Sequence, residues 1–465
     1  MIYELRKFKF ILLLIFFLSS FLVWGNAMAA CTGESPTWSS TADYDSVKTC
    51  VASASSGDTI QLSDGDATWD TPLIINKGLI FHGGAGTITV SGTQNDFAIR
   101  YEPSNPSLDE MFEMYGFTIN GTFQIKVDNN STSHVLTKIK IHDNNLTTGD
   151  TYVLRVVGMV YGVFYHNIIT ATGEAIDIVG GGNSAITLPV FASQYGNANS
   201  FFVEDNIFNA GDLVVYGSDA AKYVFRYNSL TMNTGNVRTM VDMHGTYTQF
   251  CNTMSAEVYG NNVTHNAALF FWNQRGGWNL GFYNYTSSTG TLYQRIRDDY
   301  YLSAYCGSEE WDTCNTCDDN IGLTQAIHPE NSYWWNNRGG TGNLATINID
   351  SINITENINF WAQRAGVFNG SGNTNNGGGV GCGILANRPT TCTTGVAYWA
   401  TNQSCTDMTD MVGVNPATPI SGTLYKCTAT DTWTEYYEPY TYPHPLRTEA
   451  YDIIAPASPT GLSVN

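Results

Sequence analysis

Apolar residues in this chain fall in short runs built around a recurring Asn. Gly162-Val163-Phe164-Tyr165-His166-Asn167-Ile168-Ile169-Thr170 sets the phrase, and Phe201 to Asn209 and Tyr223 to Thr231 repeat it, as do Glu257 to Thr264 and Gly281 to Thr286. Asn144 to Asn167 is 23 positions, Asn206 to Asn228 is 22 and Asn261 to Asn284 is 23. The wider gaps, Asn167 to Asn206 and Asn228 to Asn261, fit one turn carrying an inserted loop. A fixed period in the 20s marks a solenoid, whose units bury their apolar faces only by stacking on one another. The runs are short and rich in Val, Ile, Phe and Tyr, so the units are strands. The pattern predicts an all-β, right-handed parallel β-helix in which one Asn per coil bonds its neighbours above and below.

The ends read differently. Asp43 to Ser55 carries Tyr44, Val47, Val51 and Ala54 at helical spacing behind an Asp suited to N-capping, which predicts an amphipathic helix covering the open end of the solenoid. Short strands with Gly and Asp turns follow from Gly57 to Val90, and coils continue from Met111 to at least Trp335-Asn336-Asn337. After the Gly/Asn-rich stretch 369–379 the strand phrase fades while Cys and Thr increase. The expected organisation is an export signal at 1–30, a cap at 31–56, the β-helix at 57–368, a disulfide-stapled region packed on it at 369–450, and a linker-like tail at 451–465. That tail, Ala455 to Val464, also resembles the first strand of a fibronectin type III module, so a further C-terminal domain is an open expectation.

Composition narrows the setting. Arg6, Lys7 and Lys9 precede an apolar run from Phe10 to Val23 and the small residues Ala27-Met28-Ala29, the layout of a secretory signal. The run is short for a membrane span, and no second one follows. Met28 to Cys31 also resembles a weak lipobox, but simple secretion or display at a bacterial cell surface is the expectation. The 10 cysteines suit an oxidising compartment, with their pairing open. The formal charge is −20, and the signal holds three cations and Glu4, leaving a mature chain near −22. So acidic a surface argues against nucleic acid, which requires cations to displace its counterions. Bridging Ca²⁺ is a candidate requirement for an acidic polysaccharide partner.

Val241-Asp242-Met243-His244-Gly245 is the strongest chemical candidate. On a strand, Asp242 and His244 point to one face, where a carboxylate can orient an imidazole for general base work. Arg275, in Gln274-Arg275-Gly276-Gly277, lies 31 residues after His244, about one coil further along with a loop inserted. Its guanidinium could grip a uronate carboxylate. The bland alternative is a structural Asp–His pair, with Arg275 satisfying loop carbonyls. Asp298 and Asp299, and the acidic stretch around Cys314-Asn315-Thr316-Cys317, are weaker candidates for hydrolysis or Ca²⁺, most simply read as a surface turn and a stapled loop. Of the adjacent Trp334 and Trp335 only one can face the core, and Trp335 is the candidate platform for a sugar ring. His82, His166, His328 and His444 read as structural.

The run from Val47 through Gly57-Asp58-Thr59-Ile60 to Gly83-Gly84-Ala85-Gly86 resembles the entry coils of the pectate-lyase-like β-helix superfamily. The Asp242-Met243-His244-Gly245 and Arg275-Gly276-Gly277 coils, with Tyr425-Lys426-Cys427 and Tyr440 to Leu446, are similar to a group of secreted bacterial β-helix proteins. This resemblance spans most of 45–446 and implies the fold and the group. The chain departs from the pectate lyase signatures, having no Trp-Ile-Asp-His strand and no Arg-x-Pro-x-x-Arg. It departs from polygalacturonases in the order of His244-Gly245, Arg295-Ile296-Arg297 and Asp298-Asp299. Three readings stand: a polysaccharide lyase or hydrolase, with His244 as lyase base and Arg275 neutralising a uronate; a non-catalytic carbohydrate-binding or adhesive protein; and a structural rod.

Overall fold

The computed structural model describes residues 31–91, 97–104, 110–129, 137–149, 152–158, 160–180, 195–218, 221–232, 239–244, 253–265, 269–286, 292–297, 331–350 and 354–447. Three long stacks of strands dominate, and within each stack neighbours come from successive coils. Sheet A has 13 strands and runs from an antiparallel entry pair, Cys31–Glu34 and Thr37–Ser40, to Phe360–Ala362. Sheet B has 9 strands and sheet C has 10. All pairings in B and C are parallel, for example Ile168↔Ile207 and Asp177↔Tyr216. The chain is a parallel β-helix, as its Asn period predicts.

Alternation explains why these segments are strands. Ile125-Lys126-Val127-Asp128-Asn129 buries every second side chain, and Ile125 and Val127 join Ile99, Leu154, Val156, Ile176 and Val215 in one continuous core inside the coil. The bend from sheet A into sheet B is built from two residues. Asp143, His166, Asp205, Tyr227, Tyr283 and Asn336 each take a positive φ near 50–56°, and each precedes a ladder Asn. That conformation costs a non-Gly residue roughly 1–2 kcal/mol. The Asn offsets it: Asn206 Nδ2 donates to Phe164 O at 2.9 Å, Glu204 O at 3.0 Å and Asn228 Oδ1 at 3.1 Å. The same link joins Asn144 to Asn167, Asn167 to Asn206, Asn228 to Asn261, Asn261 to Asn284 and Asn284 to Asn337. Buried amides that would otherwise be costly thus satisfy one another and the carbonyls of the bend.

Helix α1, Tyr44–Ser53, closes the first coil. Asp43 caps it by accepting from Ser46 N at 3.0 Å, and Val47, Cys50 and Val51 are buried against the core. A disulfide joins Cys50 to Cys31.

The C-terminal region forms a four-stranded sheet from Val380–Gly383, Ala397–Ala400, Thr423–Ala429 and Thr432–Tyr437, stapled by Cys382–Cys405 and Cys392–Cys427. It lies along the outer face of sheet A. Trp335 stacks on Phe282 at 4.3 Å and meets Trp399 at 5.2 Å. Further along, Arg226 Nε donates to Glu204 at 2.7 Å, and its other nitrogens reach Tyr440 O at 2.7 Å and Thr441 O at 2.9 Å. Arg447 bridges Glu204 at 2.8 Å and also Asp205, and Tyr442 donates to Asp205 at 2.8 Å. His166 and His444 belong to this buried network, and His82 stacks on Tyr115. Cys251, Cys306, Cys314, Cys317, Asp298, Asp299 and His328 lie outside the described residues.

Candidate functional site

The three outer faces differ in what they offer a ligand. That of sheet A is covered by the C-terminal region from about Tyr165 to Trp361, while its earlier coils carry Glu113, Lys140 and His142. That of sheet B presents short uncharged side chains in register: Thr89, Asn120, Thr147, Thr170, Asn209, Thr231 and Thr264. That of sheet C carries the charge.

Parallel register on sheet C places Arg100, Lys126, Arg155, Asp177, Tyr216, Asp242, Asn273 and Arg295 in one outward column. Most are flanked in their strands by inward core residues, as Ile176 and Ile178 flank Asp177 and Val241 and Met243 flank Asp242. A second outward column holds His244, Arg275 and Arg297, fixed by His244 N to Gly217 O at 2.8 Å, Arg275 N to Met243 O at 3.1 Å and Arg297 N to Gln274 O at 3.0 Å.

Asp242, His244 and Arg275 therefore share one outward face in adjoining coils. Their pairing differs from the expectation. The carboxylate that the spacing assigns to His244 is taken by Arg275, through Nε at 3.2 Å and through Nη2, and by Asn273 Nδ2 at 2.9 Å. Nη1 takes no part in that pair. The His244 ring instead packs on the Tyr216 ring, with centroids 4.7 Å apart. Asp242 and Arg275 are only 6% and 8% exposed, because their in-column neighbours cover them. A guanidinium one strand away offers a bidentate geometry that an imidazole on the same strand cannot match.

Four further residues join this group. Arg155 Nε lies 3.1 Å from Asp177 Oδ2. Asp177 is 3% exposed, and its Oδ1 accepts no hydrogen bond from the described residues. Burial pushes its carboxyl up to about 7, against the pull of Arg155 and with Glu174 adding to the rise. The Tyr216 hydroxyl is likewise pushed up by burial, with Asp177 and Asp242 adding to it, as its place between them in the column requires. Asn273 turns Nδ2 to Asp242, and its buried Oδ1 also lacks a donor among the described residues.

Trp335 is corrected. It faces outward, as adjacency to the core residue Trp334 demands, yet it is 1% exposed because the C-terminal region covers that face, and it offers no platform for a sugar. At the first coils sheet C ends in a cleft of about 610 Å³ lined by Tyr44, Lys48, Ile74, Asn76, Lys77 and Arg100 among others. Among the described residues no group of three or more His, Cys, Asp or Glu side chains is placed to hold a metal ion. No described helix is long and apolar enough to cross a membrane. No protein-family model, curated protein or solved structure matches this chain.

Proposed function

We propose that the protein is exported and cleaves an acidic extracellular polysaccharide on the outer face of sheet C, as a lyase of the pectate-lyase-like kind that its coils resemble. The observation that carries this reading is the placement of Asp242, His244 and Arg275 on one outward face of sheet C in adjoining coils, with Tyr216 beside them. His244, beside Arg275 in the second column, is the base for the proton next to the uronate carboxylate, and Nη1 of Arg275 is the group for the carboxylate itself. The cationic cleft at Lys48, Lys77 and Arg100 extends the same face and suits an acidic chain, in a protein whose formal charge is −20.

The test is a panel of acidic and neutral polysaccharides, with and without a chelator, followed for new reducing ends and for the ultraviolet absorbance of unsaturated uronates. Absorbance that disappears in His244→Ala and Asp242→Ala supports the lyase. Reducing ends without absorbance would mean hydrolysis, and retention on a polysaccharide gel without either signal would mean a binding protein.

A further inference from the structure

We propose that sheet C cuts its polysaccharide by syn elimination, with His244 as the base and the Tyr216 hydroxyl as the acid. It therefore takes uronates whose C5 hydrogen and C4 oxygen lie on the same side of the ring. This rests on the lyase reading above and narrows its substrate class.

The order of groups along the stack carries the argument. Tyr216 lies in the strand Val215–Ser218, which pairs with Val241–Met243 through Tyr216↔Asp242. His244 follows directly on the second strand, and its N donates to Gly217 O at 2.8 Å. The two side chains are diagonal neighbours, and their rings pack with centroids 4.7 Å apart. Arg275 follows the next strand, Leu269–Gln274, with its N donating to Met243 O at 3.1 Å. Adjoining strands thus present a hydroxyl, an imidazole and a guanidinium in that order. A uronate presents O4, the C5 hydrogen and the C6 carboxylate in the same order along one edge of its ring. Asp242 lies close by, but Arg275 and Asn273 already hold its carboxylate. Tyr216 stays partly exposed, and a phenol has a proton to give. Burial keeps that proton on, with Asp177, Asp242 and Glu174 adding to the effect and Arg275 opposing it.

Outward positions of neighbouring parallel strands point to one face, so base and acid reach the sugar from the same side. In glucuronate and mannuronate the C5 hydrogen and the C4 oxygen share a side. In galacturonate and guluronate they lie on opposite sides, and a ring that offers its hydrogen to His244 turns O4 away from Tyr216.

The step balances. Arg275 neutralises the carboxylate while His244 takes the C5 proton. The C–H pair forms the C4=C5 double bond, and the C4–O bond breaks with its pair going to oxygen. That oxygen takes the Tyr216 proton. The phenolate regains a proton as His244 gives up its own.

The experiment offers wild type and Tyr216→Phe four polymers, of glucuronate, mannuronate, galacturonate and guluronate, and follows the absorbance of unsaturated uronates. A glucuronide bearing an aryloxy group at C4, which leaves without a proton, is the fifth substrate. Tyr216→Phe keeps the ring that packs on His244 and removes only the hydroxyl. Wild type should cut the glucuronate or mannuronate polymer and leave the other pair intact. Tyr216→Phe should lower kcat on that polymer by about 10²–10⁴-fold, yet stay near wild type on the aryloxy glucuronide, which also shows that it is folded. Comparable or faster cutting of the galacturonate or guluronate polymer overturns the syn geometry and leaves the lyase reading standing. A Tyr216→Phe variant that keeps its polymer kcat, or loses both substrates equally, overturns the role of the hydroxyl. Wild-type silence on every substrate sinks the lyase reading, and this inference with it.

Discussion

Asn206 shows what one side chain does in this fold. Its Nδ2, with two hydrogens, is shared among three acceptors, and its Oδ1 accepts from both Asn167 N and Asn167 Nδ2. Asn206→Ala leaves carbonyls in the bend without donors and should cost roughly 3 kcal/mol in urea unfolding. Asn145→Ala, at an exposed sheet B position one residue past a ladder Asn, should change stability by less than about 0.5 kcal/mol. Asp177 makes a second prediction. Its carboxyl is raised to about 7, from about 4 when unfolded, so above pH ~4 the unfolded chain gives up a proton that the folded chain keeps. Stability should therefore fall as pH rises from ~4 to ~7, at about 1.4 kcal/mol per unit of displacement. Asp177→Asn should remove that slope in melts taken across the range. The ladder was legible because its Asn recurs at a fixed interval. Asp242, His244 and Arg275 were legible as a group because two share a strand and the third lies about a coil away. Asp177 was not. An Asp between two Ile residues reads as an ordinary solvent-facing strand position, and its burial depends on Tyr216 and Arg155, neighbours known only once the coils are in register.

At the scale of elements, the C-terminal sheet decides which faces are open. Its place along the coils was foreseeable from fading strand pattern and rising cysteine content, but its extent was not. Trp335 is buried by Trp399, and Asp205 is met by Tyr442 and Arg447, contacts that no local pattern encodes. The junction should be acid-sensitive. Burial holds His444 down at about 4 despite the nearby Glu204, and burial of Glu204 is outweighed by Arg226 and Arg447, which keep it at about 2. Both depressed groups contribute stability that is lost as pH falls, His444 from ~6.5 to ~4 and Glu204 from ~4 to ~2. Asp205, raised by burial, works in the opposite direction. Above pH ~4 His444 acts against the raised carboxyls of Asp205 and Glu257, so its own share is read by comparing Trp399 fluorescence of wild type and His444→Gln between pH ~6.5 and ~4. His444→Gln should show less loosening on acidification than wild type.

The whole molecule is a stack whose ends need covering. Helix α1 supplies Val47, Cys50 and Val51 to the core, and Trp69 Nε1 ties the first coils to Ala42 O at 2.9 Å. Deleting residues 31–56 should leave the first coil open and give soluble aggregates by light scattering, whereas Lys48→Ala, on the exposed side of the helix, should stay monodisperse. Along the sides, one face is covered over its later coils, one carries a column of short uncharged residues, and sheet C carries the charged columns.

The most direct test of that division of labour is hydroxyl-radical footprinting of the protein with and without an acidic oligosaccharide. Protection of Tyr216 and His244, with Tyr425 and Trp433 on the C-terminal sheet unchanged, is the predicted result. Protection confined to the C-terminal sheet, with Tyr216 and His244 as reactive as in the free protein, would contradict it.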